Sequence, residues 1–140
     1  MRDLSAFLRG NAGQVENVRF AVSKRFVDSE GTPVEWEIRC VTSTEDEEIR
    51  RGACRRTAGG RGQPVSETDV SLYLGRLAAR CTVYPDLHDK ELQDSYGVMG
   101  ADHLLRAMLT PGEYADFLRE VQKICGFDVP FDSLVDEAKN

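Results

Sequence analysis

Much of what would announce a function is missing from this 140-residue chain. It has no run of about 18 apolar residues, the length a membrane-spanning helix needs, and this excludes a span. The opening Met1-Arg2-Asp3-Leu4-Ser5 carries an acid at once and no apolar stretch, so no signal peptide is expected. Cysteine is sparse: Cys40, Cys54, Cys81 and Cys125 are separated by 14, 27 and 44 positions, without a Cys-x-x-Cys pair. Neither His88 nor His103 completes a metal-ligand spacing. The four cysteines therefore read as buried or half-buried thiols in a reducing compartment. No Ser/His/Asp set, no Gly-x-Ser-x-Gly elbow and no EF-hand spacing is visible. The sequence offers no catalytic residue, no cofactor site and no metal site, and an enzyme is not expected. Positive charge is also short: the formal net charge is −6, which argues against a general nucleic-acid binder.

What remains is a globular composition, 41% hydrophobic and 30% charged, with enough length for one core and one domain over residues 1–140. The charge is unevenly placed. Residues 1–62 hold 11 basic and 10 acidic side chains; residues 63–140 hold 7 and 14.

Patterning divides the chain further. Asp3 to Arg9 suggests a short helix, stopped by Gly10 and Asn11. Val18, Phe20 and Val22 then alternate with polar or small residues, and Phe26 lies on the same parity, as in a half-buried strand. Asp28 to Pro33 is turn chemistry, and Val34, Trp36, Ile38 and Cys40 alternate with Glu35, Glu37 and Arg39. The two strands make a β-hairpin, which is marginal alone and must rest on the helices that follow.

Those helices start at Thr42. Thr42 with Glu45, or Thr44 with Glu47, has capping-box spacing, and acids precede Arg50, Arg51, Arg55 and Arg56, an order that complements the helix dipole. Ile49 is the one large apolar residue here, which places this helix at the surface. A flexible loop is expected over 57–65. Ser66 with Asp69 resembles a capping box before the stripe Val70, Tyr73, Leu74, Leu77, Ala78 and Cys81. Pro85 limits that helix. Short helices follow over Asp89–Ser95 and Ala101–Leu109. Thr110-Pro111-Gly112-Glu113 opens another, with the stripe Tyr114, Phe117, Leu118, Val121, Ile124 and Cys125, and Gly126 ends it. Phe131 to Ala138 adds a last short helix. The expected architecture is α+β: residues 1–41 as a short helix plus β-hairpin, then 42–140 as a mostly antiparallel bundle of about five helices.

Two stretches invite sharper readings. Gly59-Gly60-Arg61-Gly62 lacks the Lys-Ser/Thr and preceding strand of a phosphate-binding loop and reads as a plain loop. The arginines from Arg50 to Arg61 form an acid-free basic stretch that could contact phosphates or an acidic partner. They have no interleaved aromatics and follow four consecutive acids, so they read as a solvated helix face.

Several blocks, in order, resemble one family. They are Asp3-Leu4-Ser5-Ala6-Phe7-Leu8 with Gly10-Asn11, the hairpin from Val22 to Phe26 and Pro33 to Glu37, and Thr42 to Arg50. Val83-Tyr84-Pro85-Asp86-Leu87 with Leu92 to Gly100 is the most specific block, and Met108 to Tyr114 closes the set. The chain resembles the XkdN-like tail assembly chaperones of long-tailed bacteriophages. The resemblance implies a protein of the bacterial host cytoplasm that binds the tape-measure protein, and with it possibly the tail-tube protein. It would assist tail-tube assembly and be absent from the finished virion. It implies no catalytic residues, no cofactor and no membrane; nucleic acid is not expected as a partner, and self-association is possible. A holdase for amphipathic helices needs apolar grooves and a charged exterior. Tyr96, Val98, Met99, Met108 and Leu109 are the candidate partner-binding residues, since methionine adapts to varied helical clients. The alternatives are a structural tail accessory protein of the virion and a small nucleic-acid-binding regulator acting through Arg50–Arg61.

Overall fold

The computed structural model describes residues 2–58 and 64–127. The apolar stripe after Asp69 becomes the central helix α2, Val70–Cys81. Tyr73, Leu74, Leu77, Ala78 and Cys81 of that stripe are all buried, and α2 packs against the segments 43–52, 82–84, 101–108 and 111–124. Its N-cap is Asp69 alone, whose carboxylate accepts the Leu72 N–H at 3.2 Å. Ser66, expected to open this helix, lies in a strand, and the helix begins after Asp69 instead.

The other helices follow their caps. In α1, Ser43–Gly52, Thr42 accepts the Glu45 N–H and Glu45 accepts the Thr42 N–H, so this box wins over Thr44 and Glu47. Ile49 is the single buried residue of α1, which makes it a surface helix with one anchor. Asp89 caps α3, Lys90–Ser95. Leu104, Leu105 and Met108 face inward from α4, Ala101–Met108. The helix α5, Pro111–Ile124, opens on the full Thr110–Glu113 box with Pro111 in the first turn. Its buried face carries Phe117 and Val121, Gly126 takes φ 89° after it, and Phe127 packs back on the core.

The hairpin forms as expected but with short strands. β1, Val18–Phe20, pairs antiparallel with β2, Trp36–Ile38, in the register Val18 to Ile38 and Phe20 to Trp36. Asp28 closes the turn by accepting the N–H groups of Glu30 and Thr32. The first strand does not run on to Phe26. Ser23 is buried and takes the Arg25 N–H at 3.2 Å, a local bond that draws the chain off the ladder. Alternation on β2 sends Trp36 and Ile38 into the core and Glu37 outward to Arg19 at 2.8 Å. Trp36 meets Phe117 of α5 edge-on, ring centres 5.4 Å apart, so the sheet rests on the helices through aromatic contact. A third strand, β5, Thr82–Tyr84, joins the other edge of β2.

Three expectations are corrected. Residues Cys54–Ala58 and Pro64–Thr68 are strands β3 and β4 of a second antiparallel pair, which replaces the expected helix end and takes Thr57, Ala58, Pro64 and Val65 out of the loop expected over 57–65. The helix stops at Gly52 because buried Ala53 turns back onto the carbonyls of Ile49 and Arg50; Arg55 and Arg56 therefore lie on a strand. Near the start, Asp3–Arg9 is only a single 3-10 turn over Ser5–Phe7. Leu4, Phe7 and Leu8 are 70%, 78% and 59% exposed, so no tertiary contact holds a longer helix together. Finally, Cys54 is exposed, although Cys81 is buried and Cys40 and Cys125 are half-buried as expected. The stretches Gly59–Gly62 and Phe131–Ala138 lie outside the described residues.

Candidate functional site

Between α3 and α4 the chain makes a five-residue turn, Tyr96 to Gly100. Glycine is needed at both bends: Gly97 takes φ 66° and Gly100 φ 103°, a region costly for side chains with a Cβ. One side chain pins the turn. Gln93 of α3 donates from Nε2 to the Leu87 carbonyl at 2.8 Å, and its Oε1 accepts the Gly100 N–H at 3.1 Å. Its backbone carbonyl accepts the N–H groups of Tyr96 and Val98, both at 3.2 Å. The backbone of the turn is therefore held by hydrogen bonds rather than left loose. Val98 packs against the core, Tyr96 is 38% exposed and Met99 is 87% exposed.

Of the five candidate binding residues, this turn brings together Tyr96, Val98 and Met99. Met108 and Leu109 lie apart from them in role: each is only 6% exposed and belongs to the hydrophobic core. The end of α4 is further tied down by Arg25, which donates to the Met108 carbonyl at 2.8 Å and pairs with Glu113 at 2.6 Å. The Arg25 guanidinium, with the Ser23 hydroxyl and the Thr110 amide, pulls the Glu113 carboxyl down to about 2. Met108 reaches the surface as one wall of an apolar cleft of about 150 Å³, shared with Phe26, Val34, Trp36, Tyr84 and Leu92. That cleft is a small groove of the kind that accepts an apolar side chain.

The basic stretch is less available than its composition implies. Arg50 Nε bonds the Asp46 carboxylate at 2.8 Å, and its guanidinium lies 4.7 Å from the centre of the Tyr73 ring. The Tyr73 hydroxyl donates to the same Asp46, and burial pushes its pKa up. Arg51 is exposed on α1, and Arg55 and Arg56 continue on β3. No helical face of four arginines is formed. Among the described residues no group of His, Cys, Asp and Glu is placed to hold a metal ion, and no helix is long and apolar enough to cross a membrane.

Sequence reasoning passed over Leu4, Phe7 and Leu8 as a possible contact surface. Their spacing of i, i+3 and i+4 was visible, yet such a stripe normally finds its own core, and only the structure shows that this one does not.

Residues 4–139 match the family model described as phage XkdN-like tail assembly chaperone protein. Two proteins of Bacillus subtilis (strain 168) are similar along almost the whole chain. One, named uncharacterized protein YqbN, is 34% identical over 140 residues, covering 99% of this chain and 93% of that protein. The other, phage-like element PBSX protein XkdN, is 31% identical over 140 residues, covering 99% and 94%. A crystal structure of YqbN superposes with a TM-score of 0.79 at 32% identity, covering 91% of this chain and 99% of the other.

Proposed function

Because the chain belongs to the phage XkdN-like tail assembly chaperones, we propose that it acts in the bacterial host cytoplasm as a holdase for the tape-measure protein. It binds apolar faces of that long helical protein, keeps it from aggregating while tail-tube subunits assemble around it, and leaves before the virion is complete. The whole chain, residues 1–140, works as one domain in this role.

The observation that carries the reading is the Tyr96–Gly100 turn, which holds Met99 almost fully in solvent on a chain of net charge −6. An exposed, unbranched apolar side chain on a rigid turn adapts to different helix faces without a large ordering cost. The acidic exterior keeps the chaperone itself dispersed. Tyr96 and Val98 border the contact, and the cleft walled by Met108 takes a neighbouring client side chain. Leu109, buried in the core, is at most a support for Met108, its neighbour in the chain.

The test is a pull-down of tape-measure fragments with two variants. Met99→Asp places a charge on the contact and is expected to abolish capture while leaving the thermal melt unchanged. Met108→Asp buries an unpaired carboxylate and is expected to destabilise the domain by several kcal/mol, on the order of 3 or more. Capture by Met99→Asp at the wild-type level would remove the turn from the account. Mass spectrometry of purified particles separates the chaperone from a structural tail protein: the chaperone is absent from them.

A further inference from the structure

Three of the four cysteines, far apart in the chain, meet where α2 and α5 end. Cys81, the last residue of α2, and Cys125, the cap of α5, are 44 positions apart in sequence, yet their sulfurs are 3.7 Å apart. A disulfide bond is about 2.05 Å long, so the two sulfurs need to close by less than about 2 Å, shared between two side chains. Their surroundings differ. Cys81 is fully buried, whereas Cys125 is half-buried and lines a surface cleft of about 200 Å³ with Val41, Thr42, Ser43, Asp46 and Phe127.

We propose that Cys81 and Cys125 are a thiol–disulfide exchange site, in which Cys125 reacts with a small disulfide entering from this cleft and Cys81 then closes the internal bond. The order of events follows from access, since a reagent in the cleft meets Cys125 first. It also follows from the protons. The Cys81 thiol, 3.7 Å away, and the Val41 amide lower the Cys125 pKa against the cost of burial, while the Cys40 thiol donates to the Val41 carbonyl at 3.2 Å. The Cys81 thiol is pushed up, first by donating to Cys125 and then by its own burial. Cys125 is thus the sulfur a reagent reaches from the cleft, and Cys81 is the protected reserve behind it.

The chemistry balances with a low-molecular-weight disulfide, RSSR, as the oxidant. The Cys125 thiolate attacks one sulfur of RSSR, the S–S bond breaks, and RS⁻ leaves. That RS⁻ takes the proton of the Cys81 thiol. The Cys81 thiolate then attacks the Cys125 sulfur and expels the second RS⁻, which takes a proton from solvent. Two electrons pass from the cysteine pair to the reagent, which ends as two thiols. Asp46 in the cleft wall repels anions, so a neutral disulfide suits the site better than an anionic one. The internal bond ties the end of α2 to the end of α5. This proposal is independent of client binding.

The experiment treats the full chain, carrying Cys54→Ser to remove the exposed thiol, with bis(2-hydroxyethyl) disulfide. The products are read by intact mass and by a peptide map without reductant. The expected product has lost two hydrogens and links Cys81 to Cys125. Adding Cys81→Ser is expected to stop the reaction at one mixed disulfide on Cys125, with the internal bond lost. Adding Cys125→Ser is expected to lose both. Circular dichroism checks the fold of each variant, and Cys81→Ala replaces Cys81→Ser if a buried hydroxyl unfolds the chain. A stable mixed disulfide on the Cys54→Ser chain, a link between Cys40 and Cys125, or no reaction in folded protein while the denatured chain reacts would each overturn the proposal.

Discussion

At the start of α1, Glu45 serves two partners at once. It pairs with Arg39 through bonds of 2.8 and 3.2 Å and accepts the Thr42 N–H at 3.1 Å. Arg39 first, and the Thr42 amide second, lower its pKa from 4.5 to about 2. Glu113, held by Arg25, is lowered to the same value. In both cases the unfolded chain takes up the proton at higher pH than the folded one. The stabilisation is therefore complete above about pH 5 and is lost as pH falls toward 2. Urea midpoints measured through this range should fall steadily for the wild type. Glu45→Gln should lower the midpoint at pH 7 and flatten the acid limb. Gly75 shows the opposite kind of constraint, one of space. A Cβ there would come within 2.9 Å of the Tyr114 hydroxyl and 3.4 Å of Arg106 Nη2. Alanine normally improves a helix interior by about 1 kcal/mol relative to glycine. Here Gly75→Ala should instead lower the melting temperature, and adding Tyr114→Phe should recover part of the loss.

Among the elements, those with a periodic apolar face and a cap were legible in the sequence, and those without were not. The α2 and α5 stripes and the Thr110 cap are visible in the sequence, whereas the cap of α2 is Asp69 and not the Ser66 that capping-box spacing suggests. Trp36 and Ile38 alternate clearly enough to place β2. Nothing similar marks β3 and β4: Cys54-Arg55-Arg56-Thr57-Ala58 and Pro64-Val65-Ser66-Glu67-Thr68 have no alternating apolar face, and their pairing is a backbone ladder. The three residues of β5 follow α2 without a break, so the strand was hidden between the helix stripe and Pro85. The Leu4–Leu8 segment misled in the other direction, since helical spacing without a burial partner does not make a stable helix. The Thr110 box can be tested at this scale. Thr110→Ala removes the acceptor for the Glu113 N–H and loosens the carboxylate that holds Arg25. A thermal or urea melt should show a loss of about 1–2 kcal/mol.

Across the whole molecule, exposed apolar residues occur both in the near-neutral first part, as at Leu4, Phe7 and Leu8, and in the acidic second part. Residues 63–140 carry twice as many acids as bases, 14 against 7. The same part of the chain holds Met99 and Tyr96 out from the surface. On the holdase reading proposed above, the chain has to present apolar surface without aggregating through it, and net charge of one sign helps keep copies apart. The candidate binding residues are chosen by residue type. Residue type does not state exposure: Tyr96 and Met99 lie at the surface and Val98 packs on the core, while the burial of Met108 and Leu109 depends on how α4 meets the hairpin and α5, which no local pattern states. The most direct measurement of the central claim is amide hydrogen exchange on the full chain, with and without a helical fragment of the tape-measure protein. The account predicts slowed exchange over Tyr96–Gly100 and the adjoining ends of α3 and α4. Binding that leaves those amides unchanged and protects α1 and its arginines instead would contradict it.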